Sequence, residues 1–496
     1  MDNRLGIAAE HHATAPLAQA AGAAVRWRAV GLIGSKLLGV LRSFVLAWLI
    51  VPDDFGLFAL AVLPLDTLLS ASDVGMLPAL VQSQNVDESD YAVAWTIGLL
   101  RALLVGLALI AAAPLVARLL GDARATSMIQ LIALRPLLVA LNSVQLARLE
   151  RQLQFRAPAV VGLVTAAVHT VVTLALARSA GAWALAYGML GGALAGVMAS
   201  YWQAPGRPRV ALDARRAASL LRFGRWVLIA GLIAMAGEWI LVAAITRTAG
   251  TAALGRYALA ASIALTPASM FGSLIGGVAF AAHARAASDA RQSARVFRTS
   301  LIAMLVPVVP SYALLFALAP ELVSHALDAR WAGLGPAIRL LAIAGVLGLV
   351  FDASTSLLAG VGRPRASALL SVAYTGVVAL LAWSLTQNFG IEGAAAARVS
   401  AEVALICVAL ILVGQVVRHP SSGLGPPAFC IISSAMAGAV CARATLAYSP
   451  TAVWLAISGL IGLAAAALML LTLDRVFGSA IRRDAAFVLS IRGRAA

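Results

Sequence analysis

The residues of this chain able to do chemistry are a few charged side chains set inside long apolar runs. Lys36, Arg42, Arg101 and Arg135 are cations in the first half, where Asp66 and Asp73 are the acids; Glu238, Asp352 and Glu402 are acids in the second half. An ionisable group at membrane depth costs about 2.5–3.5 kcal/mol on insertion scales, so each needs a partner or a purpose. If the first two apolar runs pack antiparallel about Pro52-Asp53-Asp54, residues equidistant from that turn share a depth, which sets Lys36 beside Asp73 and Arg42 beside Asp66. Arg101, near mid-depth in the third run, competes for Asp66. Two uses stay open: neutralised structural pairs, or cations that face a water-filled cavity and bind an anionic headgroup.

Lys36 is the one lysine among arginines, and its compact ammonium differs from a guanidinium in hydration and reach. Arg135-Pro136 joins a cation to a helix breaker, a pattern that suits a cavity wall or an Arg snorkelling to the nearer interface. In the second half Arg398 and Glu402, four apart on one helix, are expected to neutralise each other. Glu238 has no evident partner and is the first choice for a titrating or cation-binding group. His169 reads as a hydrogen-bonded packing residue ahead of a proton relay.

The elements that must hold these residues are transmembrane helices. With 61% hydrophobic and 12% charged residues among 496, the chain lies outside the soluble range. Fourteen runs of spanning length are expected, with 12 to 14 as the range: 29–50, 55–80, 92–115, 127–147, 158–178, 181–203, 226–247, 254–281, 299–319, 336–360, 366–387, 391–414, 428–448 and 451–473. The fold class is therefore all-α, a polytopic integral membrane protein. The first run follows Arg26 and Arg28 but is too long for a signal peptide and lacks a small-x-small exit. Cys407, Cys430 and Cys441 fall inside runs, where they act as small apolar residues.

An internal duplication organises these helices. Arg26-Trp27 recurs as Arg225-Trp226, and Phe55-Gly56-Leu57-Phe58 recurs at the same offset as Leu254-Gly255-Arg256-Tyr257. Ala113-Pro114 and Asp122-Ala123-Arg124 return at a slightly larger offset as Ala319-Pro320 and Asp328-Ala329-Arg330. The expected organisation is a disordered tail (1–25), a six-helix lobe (26–203), a basic linker (204–225), a second six-helix lobe (226–415), two additional helices (416–475) and a basic tail (476–496). An even number of spans per copy relates the lobes by an axis along the membrane normal.

The net charge of +16 is distributed in alternate loops, which makes it a topological signal and excludes a nucleic-acid reading. Arginines crowd around residues 148–156, 207–225, 285–298, 363–365 and 475–494, whereas the opposite loops hold scattered ones such as Arg118, Arg124, Arg178, Arg247 and Arg330. Both termini are thus expected in the cytoplasm. No Gly-rich phosphate loop, dinucleotide fingerprint, zinc spacing or nucleophile elbow occurs, so no cofactor, metal or catalytic residue is expected. The short loops opposite the basic side favour transport over an enzyme of glycan assembly.

Several local sequences resemble the polysaccharide flippase family of the multidrug/oligosaccharidyl-lipid/polysaccharide exporter superfamily. Ile50-Val51-Pro52-Asp53-Asp54-Phe55-Gly56-Leu57 is similar to that family's L-x-P-x-D-F-G signature, and Ser72 to Gln82 to its D-x-G-x-x-x-A-L-V-Q stretch. Leu221-Arg222-Phe223-Gly224, Ala319-Pro320-Glu321-Leu322-Val323 with Trp331, and Gly362-Arg363-Pro364 extend the resemblance over residues 26–415. It implies a flippase that carries an undecaprenyl-diphosphate-linked oligosaccharide across a bacterial inner membrane for exopolysaccharide, O-antigen or capsule synthesis. Alternating access of two lobes around a cationic cavity is implied with it, as are a polymerase and a chain-length regulator as possible partners. Lys36, Arg42, Arg101 and Arg135 are then candidates for the diphosphate, and Asp66, Asp73, Glu238, Asp352 and Glu402 for charge pairing or ion coupling. One departure is Leu241, where many relatives carry an acid; here the acid is Glu238, one turn earlier. The alternatives are a drug or peptidoglycan-precursor exporter of the same superfamily and, from another class, a membrane enzyme of glycan assembly.

Overall fold

The computed structural model describes residues 3–72, 88–152, 154–206, 210–211, 235–286, 289–417, 424–447 and 451–477. Asp73, most of the Ser72–Gln82 stretch, most of the linker and the C-terminal tail lie outside them. Every regular element among the described residues is helical. The first lobe contains α1 (Asn3–Leu49), α2 (Pro52–Ser72), α3 (Glu88–Leu120), short helices α4 (Ala125–Ile132), α5 (Arg135–Ala140) and α6 (Gln145–Arg151), then α7 (Arg156–Ala180) and α8 (Ala182–Gln203). The second lobe contains α9 (235–249), α10 (Thr251–Ala264), α11 (Thr266–Arg285), α12 (Ala290–Ala326), a 3-10 turn (Ala329–Trp331), α13 (Leu334–Gly360) and α14 (Pro364–Val416). Two more helices, α15 (Gly425–Leu446) and α16 (Ala452–Phe477), pack on each other and on α12.

Nine helices among the described residues are long and apolar enough to cross a membrane, or eleven if two bent pairs each count as one span. Parts of the second and seventh apolar runs lie outside the described residues. α14 is interrupted at Gly390, whose φ of 57° breaks the helix where two runs are expected to meet. Glycine tolerates that backbone conformation, so the chain reverses there without a side-chain clash. The backbone of residues 3–25, expected as a tail, is helical and continuous with α1.

The first two helices do not pack as an antiparallel hairpin. α1 lies chiefly against α7, and α2 lies chiefly against α10 of the other lobe. The crossing of α2 with α10 puts Gly56 against Gly255, positions that the duplication makes equivalent. A Cβ on Gly56 would collide with the carbonyl oxygen of Thr251, and a Cβ on Gly255 with that of Pro52. Only glycine lets two backbones approach so closely, which is how small residues build helix contacts in lipid. The main core spreads from this crossing through both lobes, from Leu46, Leu60 and Leu120 to Leu241, Ile245, Leu254 and Trp331.

Candidate functional site

The lobes are clasped at the end where α1 gives way to α2. Trp331 is fully buried there, its indole Nε1–H donating to the carbonyl of Ala47 at 2.7 Å while Phe55 meets the ring edge-on at 5.1 Å. The Trp48 Nε1–H donates to the carbonyl of Ala326, at the C-terminus of α12, at 3.0 Å. Its equivalent in the duplication, Arg247, donates to the carbonyls of Leu119 and Arg118, at the C-terminus of α3, at 3.2 and 3.1 Å. Each lobe thus caps the last carbonyls of a helix in the other, groups that a helix end leaves without internal partners. Thr251 Oγ1–H adds a bond to Asp122 Oδ2 at 2.7 Å.

The two Asp-Ala-Arg copies shape the loops of this clasp. Asp122 and Asp328 each accept the backbone N–H two residues on, at 2.9 and 3.0 Å, and each receives the guanidinium of its own Arg. Arg124 also holds Asp53 at 2.8 Å, and Arg330 reaches the carbonyl of Trp48 at 3.1 Å. Burial alone would raise the Asp122 carboxyl, but bonds from Arg124 and Thr251 outweigh it and hold the group below the usual carboxylate range. Asp328 is likewise held low by Arg330. Sequence reasoning treated Arg124, Arg247 and Arg330 as a topological minority and did not foresee a clasp. The repeated Asp-Ala-Arg and the matched glycines were the signals that could have pointed to it.

The Trp239 Nε1–H bond to Thr67 Oγ1, at 2.7 Å, links α9 to α2 deeper in the molecule. Asp66 and Glu238 immediately precede Thr67 and Trp239, so an acid from each lobe flanks this link.

On the first-lobe side, Arg42 and Asp66 are not an ion pair, since α1 and α2 diverge instead of packing. The cation whose field acts on Asp66 is Arg135, on α5. Arg42 and Arg135 both act on His169 of α7. His169 packs its ring on Gly188 and its Cα and Cβ on Gly192 of α8, and its Nε2 is buried without a hydrogen-bond partner, contrary to the expected hydrogen-bonded packing role. Arg42 and Arg135 are thus within electrostatic range of His169, and Arg135 of Asp66, with no hydrogen bond or ion pair joining the four. Lys36 stands exposed on α1, and Arg101 donates to the carbonyl of Ser72 at 3.0 Å.

The second-lobe pairing also differs from expectation. Arg398 does not neutralise Glu402; its Nη1 contacts Glu238 Oε2 at 3.2 Å and Tyr257 OH at 3.4 Å. Helical spacing brings residues four apart within reach but does not fix their rotamers, and the carboxylate of α9 wins the guanidinium. Glu402, 5% exposed, is left with a buried Oε2 that has no partner. It lines a cavity of about 530 Å³ together with Asp352, Ser269, Ser273 and Tyr374. Asp352 is exposed to that space. No group of three metal-ligating side chains occurs among the described residues.

Two sets of helices clasped at one end, with charged groups set inside long apolar helices, define a transporter-type membrane protein. The chain belongs to the polysaccharide biosynthesis protein family, whose model matches residues 45–336, more than half its length. Among curated proteins it is similar to the succinoglycan biosynthesis transport protein ExoT of Rhizobium meliloti (strain 1021), 26% identical over 363 residues, covering 72% of this chain and 73% of that one. It is also similar to the lipopolysaccharide biosynthesis protein WzxC of Escherichia coli (strain K12), 22% identical over 345 residues, with 68% and 69% covered. Its fold is that of the lipid II flippase MurJ in an inward closed conformation, with a TM-score of 0.72 at 13% identity, over 90% of this chain and 98% of that one. An inward-facing multidrug transporter of the MATE family follows at a TM-score of 0.61 and 13% identity, with 77% and 95% covered.

Proposed function

We propose that this chain is a flippase that moves a diphosphate-linked oligosaccharide on a polyprenyl lipid across a bacterial inner membrane for surface polysaccharide assembly. The observation that supports the reading is the first-lobe pair Arg42 and Arg135, two cations within electrostatic range of His169, with Asp66 the acid within range of Arg135. Guanidinium forks match phosphate oxygens two at a time, and an excess of cations there is balanced when a diphosphate enters. Lys36 and Arg101 supply further positive charge on the same lobe, while the lipid tail remains in the bilayer.

By the arginine distribution, both termini face the cytoplasm, and the clasp closes the far side. Transport then requires the clasp to open, so that a path between the lobes is exposed to one side at a time. Glu402 and Asp352, beside the Glu238–Arg398 pair, are our candidates for coupling that cycle to an ion. They are acids in a solvent-accessible crevice of the second lobe, and Glu402 keeps one carboxylate oxygen unpaired.

A deletion strain tests the reading. Lipid-linked repeat units should accumulate on the cytoplasmic face, and the wild-type gene should restore export. Arg42→Ala/Arg135→Ala, present in the membrane at normal level, should not restore it. Units delivered to the outer face but left unpolymerised in the deletion strain would overturn the assignment and point to a polymerase.

A further inference from the structure

The α1/α7 seam ends, away from the clasp, in a pair of crossed cation–aromatic contacts. The Arg28 guanidinium of α1 lies over the Phe155 ring at the start of α7, 5.7 Å from its centroid. The Arg156 guanidinium of α7 lies over the Trp27 ring of α1 at 5.8 Å. Each helix thus gives one cation and receives one. Both arginines are exposed, and neither donates a hydrogen bond among the described residues. A cation held over a ring face spends none of its N–H groups on that contact, so they stay free for a phosphate.

A second feature converges on the same place. α7 is 25 residues long, and its N-cap, Phe155, offers no side-chain hydrogen bond to the free amides of the first turn. The positive end of the helix dipole therefore opens beside the two guanidinium groups. The acid nearby is Glu150, which Arg28 faces, and Arg26 and Arg151 are further cations of the same end. Positive charge is in excess.

The seam also leads somewhere. Gly31 and Gly34 of α1 sit on Ala159 and Leu163 of α7, and Arg42 and His169 lie farther along the same two helices. Fourteen residues separate Arg28 from Arg42, about 21 Å of rise and nearly a whole number of turns, so the two share a face of α1. Lys36 lies between them in depth.

We infer that Arg28 and Arg156 form an entry station for the diphosphate headgroup, where a polyprenyl diphosphate docks at the membrane surface before it reaches Arg42 and Arg135. The inference rests on the flippase reading, because it names where that substrate first binds. Headgroup chemistry assigns the ligand: two adjacent forks and a helix N-terminus complement two linked phosphates better than the single phosphodiester of a bulk phospholipid.

The test is equilibrium binding of farnesyl diphosphate to the purified full-length protein in nanodiscs, with phosphatidylglycerol vesicles as competitor. Arg28→Ala/Arg156→Ala should weaken binding about tenfold or more, the scale of losing charge-assisted contacts. Arg28→Lys/Arg156→Lys keeps the charge but loses the planar fork, and should fold as wild type while binding several-fold more weakly. Unchanged affinity in both variants, with loss in Arg42→Ala/Arg135→Ala, would overturn the entry station and leave the flippase reading standing. Displacement of farnesyl diphosphate by phosphatidylglycerol at equal concentration would overturn the diphosphate assignment. Absence of binding in the wild type would sink both readings.

Discussion

Replacing Trp331 by Ala should release the clasp. The indole is fully buried, donates to Ala47 of the other lobe at 2.7 Å and stacks edge-on with Phe55. Truncating a buried Trp to Ala costs about 3–5 kcal/mol through lost contacts and the cavity left behind. Assigning about half of that to contacts across the lobes, plus about 1 kcal/mol for the hydrogen bond, gives roughly 3 kcal/mol that exists only when the lobes are together. The equilibrium between clasped and opened forms should therefore shift about 150-fold. The assay is pulsed electron spin resonance between labels at Ser179→Cys and Ser324→Cys, exposed positions near the clasp in the two lobes, with Cys407, Cys430 and Cys441 replaced. The variant should gain a population at longer distance, and Trp331→Phe, which keeps a ring but not the donor, a smaller one. A distribution identical to wild type, in protein that melts normally, would refute the claim that these contacts hold the lobes together.

Further outcomes follow from the same geometry. Gly56→Ala or Gly255→Ala should open the clasp more strongly than either glycine's size suggests, because the added Cβ meets a backbone carbonyl that cannot rotate away; the same spin labels report it. Arg398→Ala strands the half-buried Glu238 carboxylate and should lower thermal stability in detergent by about 1–2 kcal/mol, with Glu238→Gln added on top recovering most of the loss. The clasp should be insensitive to pH from about 5 to 8, since Asp122 has a depressed folded-state value. Its stabilising contribution is complete above the ordinary carboxylate value of about 4 and is lost only as pH falls through the lower folded value, so label distances should lengthen only in that acid range.

The landmarks that recur along the sequence, glycines and Asp-Ala-Arg, are the ones that the contact between the two halves uses. Gly56 and Gly255 match in sequence and touch in space for one reason: a close backbone crossing near a pseudo-two-fold axis needs glycine from both copies. The turn at Gly390 was anticipated from the end of one apolar run and the start of the next. Charge partners were less legible. Equidistance from the Pro52 turn gives residues a common depth, yet Arg42 and Asp66 are separated because α1 leaves for α7 and α2 for α10. Helical spacing suggested Arg398 with Glu402, whereas the partner came from α9, a contact that nothing local to either sequence specifies. Trp48 and Trp331 were invisible as clasp residues for the same reason, since each donates to a backbone carbonyl, which carries no sequence signature.

The most direct test of the central claim is transbilayer movement in reconstituted vesicles. Purified protein is placed in liposomes carrying a fluorescent oligosaccharide on polyprenyl diphosphate, and the fraction of label open to a membrane-impermeant quencher is followed with time. The account predicts protein-dependent loss of the protected inner pool, abolished in Arg42→Ala/Arg135→Ala. A protected pool that persists as in protein-free liposomes, despite correctly folded protein that binds the lipid, would contradict it.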